Sequence, residues 1–169
     1  MKKPYYLLLL IAVLAAGCQS AATPEKTEQK VEFFGSPQSR ISSGAVIPAE
    51  KSLYVISGIT PSPADPDAEA GTMERMGDTK TQAISVLEKI KSQLETAGLS
   101  LNDMVSMRVY VAPDPFKEGM YDFAGWNEAY DMYFNTDTNP TKVTRATIGV
   151  PTLVNSSLFI EIEGIAVFP

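Results

Sequence analysis

The chain contains no histidine and only one cysteine, Cys18, among its 169 residues. The absence of histidine excludes serine–histidine triads, histidine general bases and the common histidine-ligated metal sites. A lone cysteine allows neither an intrachain disulfide nor a thiolate zinc cluster. No Walker loop, GxGxxG turn, HExxH pair or GxSxG elbow occurs either. Any catalysis must therefore depend on other side chains.

Positive charge is also scarce, because 14 basic residues stand against 20 acidic ones and give a formal charge of −6. Proteins that bind duplex nucleic acid neutralise phosphates with basic side chains, so we expect no nucleic-acid partner. Apolar residues make up 44% of the chain and charged residues 20%. Both fractions are ordinary for a folded protein, and the length fits one domain.

The N-terminus has the pattern of a secretory signal. Lys2 and Lys3 precede an apolar stretch at 5–16 that is too short to span a bilayer as a helix. The segment Leu14-Ala15-Ala16-Gly17-Cys18 resembles a bacterial lipobox, with the only cysteine at the lipid-acceptor position. An ordinary signal peptide with a chance cysteine is the alternative.

These features divide the chain into three parts. We predict a lipoprotein signal peptide at 1–17, a lipidated Cys18 with a flexible tether at 18–30, and a folded domain at 31–169. Several acyl chains anchor a protein stably, so we expect membrane contact through the lipid anchor alone. Gln19 follows the cysteine where an aspartate would favour the inner membrane. The expected location is therefore the outer membrane, facing the periplasm.

Within the domain, residue patterns predict an α+β fold with a mixed sheet and two helices packed on one face. The expected order is strand, strand, helix, strand, helix, strand, strand. A short strand at 31–34 precedes this series, and a long loop occupies 59–77. The predicted elements are a hairpin of strands at 45–47 and 53–56, a helix from 79 to 97, a strand at 104–111, a helix at 122–135, and strands at 142–150 and 158–168.

Each predicted helix has a recognisable polar feature. Thr79 and Gln82 have the spacing of a capping box, and Gly98 is the expected stop of that first helix. In the second helix, Asn127 interrupts a stripe of aromatic residues. Because a buried amide needs hydrogen-bond partners, Asn127 either ties down neighbouring backbone or reaches a functional site.

Strand alternation places charged residues among apolar ones near the C-terminus. Arg145 and Thr147 share one side of their strand, while Glu161 and Glu163 share a side of the last strand with Phe159 and Ile165. Three interpretations remain open from the pattern. The residues form a solvated face on which Arg145 pairs with the glutamates, a subunit interface, or a functional cleft.

The segments from about residue 36 to 167 resemble the RidA superfamily, also called YjgF or reactive-intermediate deaminases. Five motifs carry this resemblance in the expected order: Leu53-Tyr54-Val55-Ile56-Ser57-Gly58, Gly77-Asp78-Thr79-Lys80-Thr81-Gln82 with Ala97-Gly98-Leu99-Ser100-Leu101-Asn102-Asp103, Asp122-Phe123-Ala124-Gly125-Trp126-Asn127-Glu128-Ala129-Tyr130, Thr144-Arg145-Ala146-Thr147, and Ile160-Glu161-Ile162-Glu163-Gly164-Ile165-Ala166.

The resemblance implies a chorismate-mutase-like fold assembled as a homotrimer, with clefts between neighbouring subunits. Active members of the family hydrolyse small imine and enamine acids to 2-oxo acids and ammonia, without a metal or an organic cofactor. The alternative is a non-catalytic trimer that binds a small carboxylate metabolite in the same cleft.

The resemblance also implies roles for individual residues. Arg145 binds the substrate carboxylate, and Glu161 positions or deprotonates the attacking water. Further residues line or order the cleft, namely Ser57, Gly58, Thr147 and Asn127, the last of which is expected to order backbone. The chain departs from the common pattern at several places. The stretch 40–46 lacks a pocket tyrosine, Ile59 replaces a common glutamine, Thr147 stands where cysteine is frequent, and the segments 59–77 and 113–121 are longer.

Overall fold

A computed structural model describes residues 29–169. Cys18, the predicted signal peptide and most of the predicted tether lie outside the described residues. The regular elements are β1 (Glu32–Phe34), β2 (Gly44–Val46), β3 (Leu53–Ile59), α1 (Met73–Met76), α2 (Thr79–Thr96), β4 (Met104–Val111), β5 (Pro113–Asp114), β6 (Met120–Tyr121), α3 (Phe123–Asp131), β7 (Thr144–Gly149) and β8 (Ile160–Val167). In the part described, no helix is long and apolar enough to cross a membrane.

The main sheet has four strands in the order β3-β8-β4-β7. The C-terminal strand β8 lies between β3 and β4 and is antiparallel to both. Strand β7 is parallel to β4 and forms one edge of this sheet. The mixed sheet that the sequence predicts is thus confirmed.

The predicted hairpin of residues 45–47 and 53–56 is wrong. Strand β2 pairs instead with β1, where Phe33 is opposite Ala45, and β3 pairs with the distant β8. The reason is length, because the seven-residue β3 forms a longer ladder with the eight-residue β8 than with the three residues of β2. The five-residue turn permits a hairpin but does not enforce one.

Helices α2 and α3 pack together on one face of the sheet, as predicted. The apolar side of α2 is completely buried against the inward side of β8. This core consists of Ala83, Val86, Leu87, Ile90 and Leu94 from the helix and Ile160, Ile162 and Ala166 from the strand. Burial of each large side chain contributes about 1.5–3 kcal/mol, so this layer supplies much of the favourable free energy of folding.

The predicted capping box at the start of α2 is wrong. Asp78 is the N-cap, and its Oδ1 accepts a hydrogen bond from the Thr81 backbone N–H at 2.9 Å. Thr79 is already helical, and both its N–H and its hydroxyl donate to the buried Asp114 at 2.8 Å. Gln82 is buried, and it does not accept the Thr79 backbone N–H that the predicted box requires, because that N–H donates to Asp114.

Gln82 connects two distant parts of the chain. Its Nε2 donates to the carbonyls of Gly77 and Ser157, each at 2.9 Å, and its Oε1 accepts from the Phe159 backbone N–H at 2.7 Å. A spacing rule considers only local partners, whereas the Ser157 carbonyl and the Phe159 N–H belong to the loop before β8. Gln82 therefore fixes the entry of β8 into the sheet.

The long segment between β3 and α2 contains a third, one-turn helix, α1, which the sequence analysis assigned to a loop. The Arg75 side chain donates to the carbonyls of Pro66 and Ala68, and its own carbonyl accepts from Ala64 and Asp65. These bonds hold the segment in a folded loop beside α2.

Asp78→Ala should lower the free energy of unfolding by about 1 kcal/mol at pH 7, because the Thr81 N–H loses its acceptor. Partial burial alone raises the pKa of the Asp78 carboxyl, but hydrogen bonds from Thr81 and the charge of Lys117 outweigh it and hold that pKa below its usual value. The stabilisation by ionised Asp78 is thus present above the unfolded pKa of about 3.9 and is lost as the pH falls through the folded pKa.

Urea unfolding at a series of pH values measures this effect. The stability difference between the parent and Asp78→Ala should narrow below about pH 4. Asp137→Ala, in an exposed turn, is the control for a general charge effect. A difference that stays constant down to about pH 2 would contradict the assignment of Asp78 as an ionised cap.

Candidate active site

Arg145 is the centre of the candidate site. It lies on the edge strand β7, and its side chain is on the face that the helices cover. The guanidinium carbon is 4.6 Å from the centroid of the Tyr130 ring and 5.2 Å from that of Trp126. Because these aromatic residues are four positions apart, they share one side of α3 and form a platform for the cation.

Asn127 fixes the orientation of this guanidinium. Its Oδ1 accepts a hydrogen bond from Nη2 of Arg145 at 2.7 Å. This partner is a side chain from another element, whereas the expected role of Asn127 was to order backbone, and that role stays a prediction. The amide follows Trp126 on α3, so residues 126–130 of one helix supply both the platform and the hydrogen bond that positions Arg145.

The surroundings keep the site cationic. Burial lowers the pKa of the Arg145 guanidinium, and the nearby Tyr130 opposes that shift. An arginine whose pKa starts above about 12 nevertheless stays charged at neutral pH. Burial also raises the pKa of Tyr130 to about 12, although Arg145 counteracts it. A fixed cation beside a neutral phenol suits the recognition of an anion.

Two polar atoms on this side of β7 have unused hydrogen-bonding capacity. Nη1 of Arg145 is buried and has no hydrogen-bond partner among residues 29–169. The hydroxyl of Thr147, the next residue on the same side of β7, is also buried and has no hydrogen-bond partner among the described residues. Buried polar atoms in native proteins are nearly always paired, so the two atoms indicate a place that a ligand or water fills.

Ser57, Gly58 and Glu161 form a second group, in β3 and β8. The pairing of these strands shifts register between Ile56 and Ile59, so Ser57 and Gly58 form a bulge. The carboxylate of Glu161 packs directly on the Cα of Gly58, where a Cβ would collide with Oε1 and lie 3.0 Å from Cδ. Glycine is needed here for close approach of the glutamate.

The two groups lie on opposite faces of the sheet within one chain. Val109 of β4 is the cross-strand neighbour of both Thr147 and Ile162, which places the inward sides of β7 and β8 on the same, helix-covered face. Glu161 alternates with Ile162 and therefore projects from the open face, away from Arg145. The residues proposed for carboxylate binding and for water activation are thus not brought together by a single chain.

The interpretation in which Arg145 pairs with the glutamates is wrong. Glu163 is bound instead by Arg108 at 3.1 Å and by the Tyr110 hydroxyl at 3.2 Å, all on the open face. Phe159 does not help form an exposed interface, since it is only 1% exposed within the chain. Alternation shows which residues of one strand share a side, but only the register with β4 decides which side of the sheet that is.

The open face also carries a shallow groove of about 320 Å³ over β3, β8 and β4. Its polar lining comes from Ser57, Ser106, Arg108 and Glu163. Neither Arg145 nor Glu161 belongs to its lining. The groove therefore does not unite the two groups.

Comparison with known proteins identifies the family. Residues 37–168 match the family described as Endoribonuclease L-PSP. The chain belongs to this family. It is the RidA (YjgF) family that the sequence motifs indicated.

Two curated relatives illustrate the range within the RidA family. A RutC family protein of Pyrococcus horikoshii is 41% identical over 90 residues, which cover 53% of this chain and 63% of the relative's length. The 2-iminobutanoate/2-iminopropanoate deaminase of Salmonella typhimurium is 34% identical over 116 residues, which cover 69% of this chain and 80% of that protein.

A solved structure confirms the fold. The crystal structure of Escherichia coli TdcF with bound serine superposes with a TM-score of 0.53 at 27% identity, over 82% of this chain and 99% of that one. In the stretch 40–46, Arg40 forms an ion pair with Asp131 at 2.7 Å.

The residue pattern did not predict the roles of Trp126 and Tyr130, although Tyr130 lies in the aromatic stripe that Asn127 interrupts and Trp126 lies beside it. Their position on either side of Asn127 was visible in the sequence. Nothing in the sequence, however, showed that Arg145 of β7 would lie over these rings, because that contact depends on how α3 docks on the sheet.

Asn127→Ala should lower the free energy of unfolding by about 1.5–3 kcal/mol, because Nη2 of Arg145 loses a charge-assisted hydrogen bond in a half-buried position. Urea denaturation at pH 7 measures the change. Glu128→Ala is the matched control, since the adjacent Glu128 forms only an exposed ion pair with Lys80. Equal effects of the two substitutions would show that the Asn127 bond does not fix Arg145.

Proposed function

We propose that the protein is a deaminase of small imino and enamine acids, which it hydrolyses to 2-oxo acids and ammonia. The observation that carries this proposal is the guanidinium of Arg145, fixed by Asn127 at 2.7 Å and left with an unpaired, buried Nη1. An arginine presents planar donors that match a carboxylate, which every 2-imino acid carries. The 34% identity to a 2-iminobutanoate/2-iminopropanoate deaminase supports the same substrate class.

A second copy of the chain supplies the missing half of the site. Arg145 and Glu161 project from opposite faces, so one chain cannot place both on one small substrate. The open face also leaves Val55 70% exposed, Leu53 50% and Ile148 40%. Apolar residues grouped in this way favour coverage by another subunit. These observations support a homotrimer with clefts between subunits, in which Glu161 of one copy faces Arg145 of the next.

The chemistry needs only positioning and one proton acceptor. Arg145 holds the carboxylate, and Glu161 orients a water molecule toward the carbon of the C=N bond and accepts its proton. As the new C–O bond forms, the electron pair of the C=N bond moves to nitrogen, and Glu161 returns the accepted proton to that nitrogen to give a carbinolamine. Glu161 then transfers the carbinolamine hydroxyl proton to the nitrogen, and the C–N bond breaks to release ammonia and the 2-oxo acid. An enamine enters the same path once its carbon is protonated to the imine.

A non-catalytic binder of a small carboxylate is the second candidate. It is favoured by one observation, namely that the carboxylate-binding residues are assembled within one chain whereas Glu161 is not beside them. The TdcF structure, which holds serine, is an example of a relative with a bound amino acid. Binding would require Arg145 but would not depend on Glu161.

Arg145→Ala should lower kcat/KM for freshly generated 2-iminobutanoate by at least about 100-fold, because the carboxylate loses its charged partner. Glu161→Gln should lower kcat by about 100-fold or more, because the water loses its proton acceptor. Release of 2-oxobutanoate from the full chain in detergent measures both. Sedimentation of the same samples should show a trimer.

A matched pair of glycine substitutions sharpens this experiment. Gly58→Ala should displace the Glu161 carboxylate and lower kcat while changing stability little. Gly44→Ala is the control, since a Cβ there meets nothing within 4 Å. Turnover no faster than in buffer, from a folded trimer that still binds 2-oxobutanoate, would refute the deaminase and favour the binder.

The proposed place of action is the cell envelope, with Cys18 carrying the lipid anchor in the outer membrane. This proposal depends on the lipobox-like sequence, which lies outside the described residues. Cys18→Ser should abolish incorporation of labelled palmitate when the chain is expressed in a Gram-negative bacterium. Equal labelling of the parent and Cys18→Ser would refute lipidation at this residue.

A further inference from the structure

Trp126 has a buried indole N–H that the structure leaves unpaired. The residue is 0% exposed, and its Nε1 has no hydrogen-bond partner among the described residues. A buried indole N–H usually finds a partner. The ring therefore does more than fill space beneath Arg145, and its N–H has an unassigned role.

The neighbouring unpaired atom cannot satisfy it. Nη1 of Arg145 is also buried without a partner, and its guanidinium carbon is 5.2 Å from the Trp126 ring centroid. An indole N–H and a guanidinium N–H are both donors and never acceptors. No rearrangement of these two groups alone pairs them, so the group that belongs between them is an acceptor.

A third group on the same side of β7 has matching capacity. The Thr147 hydroxyl is buried and unpaired as well, and it is the next inward-facing residue after Arg145. A hydroxyl donates as readily as it accepts. Since Asn127 already occupies Nη2 of Arg145, the unpaired donors around Arg145 are Nη1, the indole N–H and the hydroxyls of Thr147 and Tyr130.

We infer that the Trp126 indole N–H donates a hydrogen bond to the substrate carboxylate, beside Nη1 of Arg145. This inference rests on the proposed function, because it names a further substrate-contacting residue of the same site. A carboxylate has about four acceptor positions on two oxygens, which is enough for these donors. The donor atoms are buried, and hydrogen bonds to an anion are stronger in such surroundings.

Trp126→Phe tests the role of the N–H while keeping an aromatic ring beneath Arg145. We expect KM for 2-iminobutanoate to rise about 10-fold or more with kcat within about twofold, since a contact made equally in the ground and transition states changes KM alone. Tyr133→Phe is the control, because it removes a different hydrogen bond, from Tyr133 to Glu88 at 2.6 Å, on the exposed side of the helix layer. The control should leave KM unchanged.

A spectroscopic measurement separates contact from packing. Trp126 is the only tryptophan of the chain, so the full-length protein with ¹⁵N-indole tryptophan gives a single indole N–H signal. Titration with 2-oxobutanoate should move the indole proton downfield and saturate. The neutral 2-oxobutanamide should leave the signal in place, because it lacks the anionic acceptor.

Failure of the inference about Trp126 and failure of the proposed deaminase function give different results. If the parent protein turns over 2-iminobutanoate but the indole signal stays fixed and Trp126→Phe keeps the parent KM, the inference about Trp126 is overturned and the deaminase stands. If 2-oxobutanoate moves the signal and turnover is absent, the carboxylate contact is supported and the deaminase fails. If the folded parent neither turns over the imine nor responds to the oxo acid, both are overturned.

Discussion

The arrangement of the site depends on one buried cation. The guanidinium of Arg145 enters the seam between the edge strand β7 and helix α3, where a charge is costly unless it is paired or hydrogen-bonded. Two aromatic rings and one amide of α3 offset that cost. Because all three come from consecutive turns of one helix, the docking of α3 on the sheet also determines the orientation of Arg145.

The same docking leaves the cation incompletely satisfied. A purely structural arginine in a protein core normally has its donors paired, whereas Nη1 here has no partner within the described chain. The combination of a rigid platform and unused donors is characteristic of a site that is preorganised for an anion. In the proposed reaction this preorganisation replaces a metal or an organic electrophile, because the C=N bond needs only a held carboxylate and a directed water.

Sheet register links this local arrangement to assembly. Strand β4 pairs with both β7 and β8. The register of these pairings places Arg145 on the helix-covered face of the sheet and Glu161 on the open face. The bulge at Ser57 and Gly58 then brings β3 backbone under the glutamate. A chain built in this way carries one half of the proposed machinery on each face of its sheet, so the chemistry that we propose requires a second copy to contribute the other half.

The sequence alone determined the elements whose evidence is local. Apolar periodicity in α2 identified a helix and its buried side, alternation in β8 separated Ile160 and Ile162 from Glu161, and five ordered motifs indicated the family. Only the tertiary structure decided which strands pair, that Gln82 joins the start of α2 to the loop before β8, and that Arg145 lies over Trp126. These features depend on contacts between residues distant in the chain, whereas periodicity and capping rules describe neighbours within a few positions.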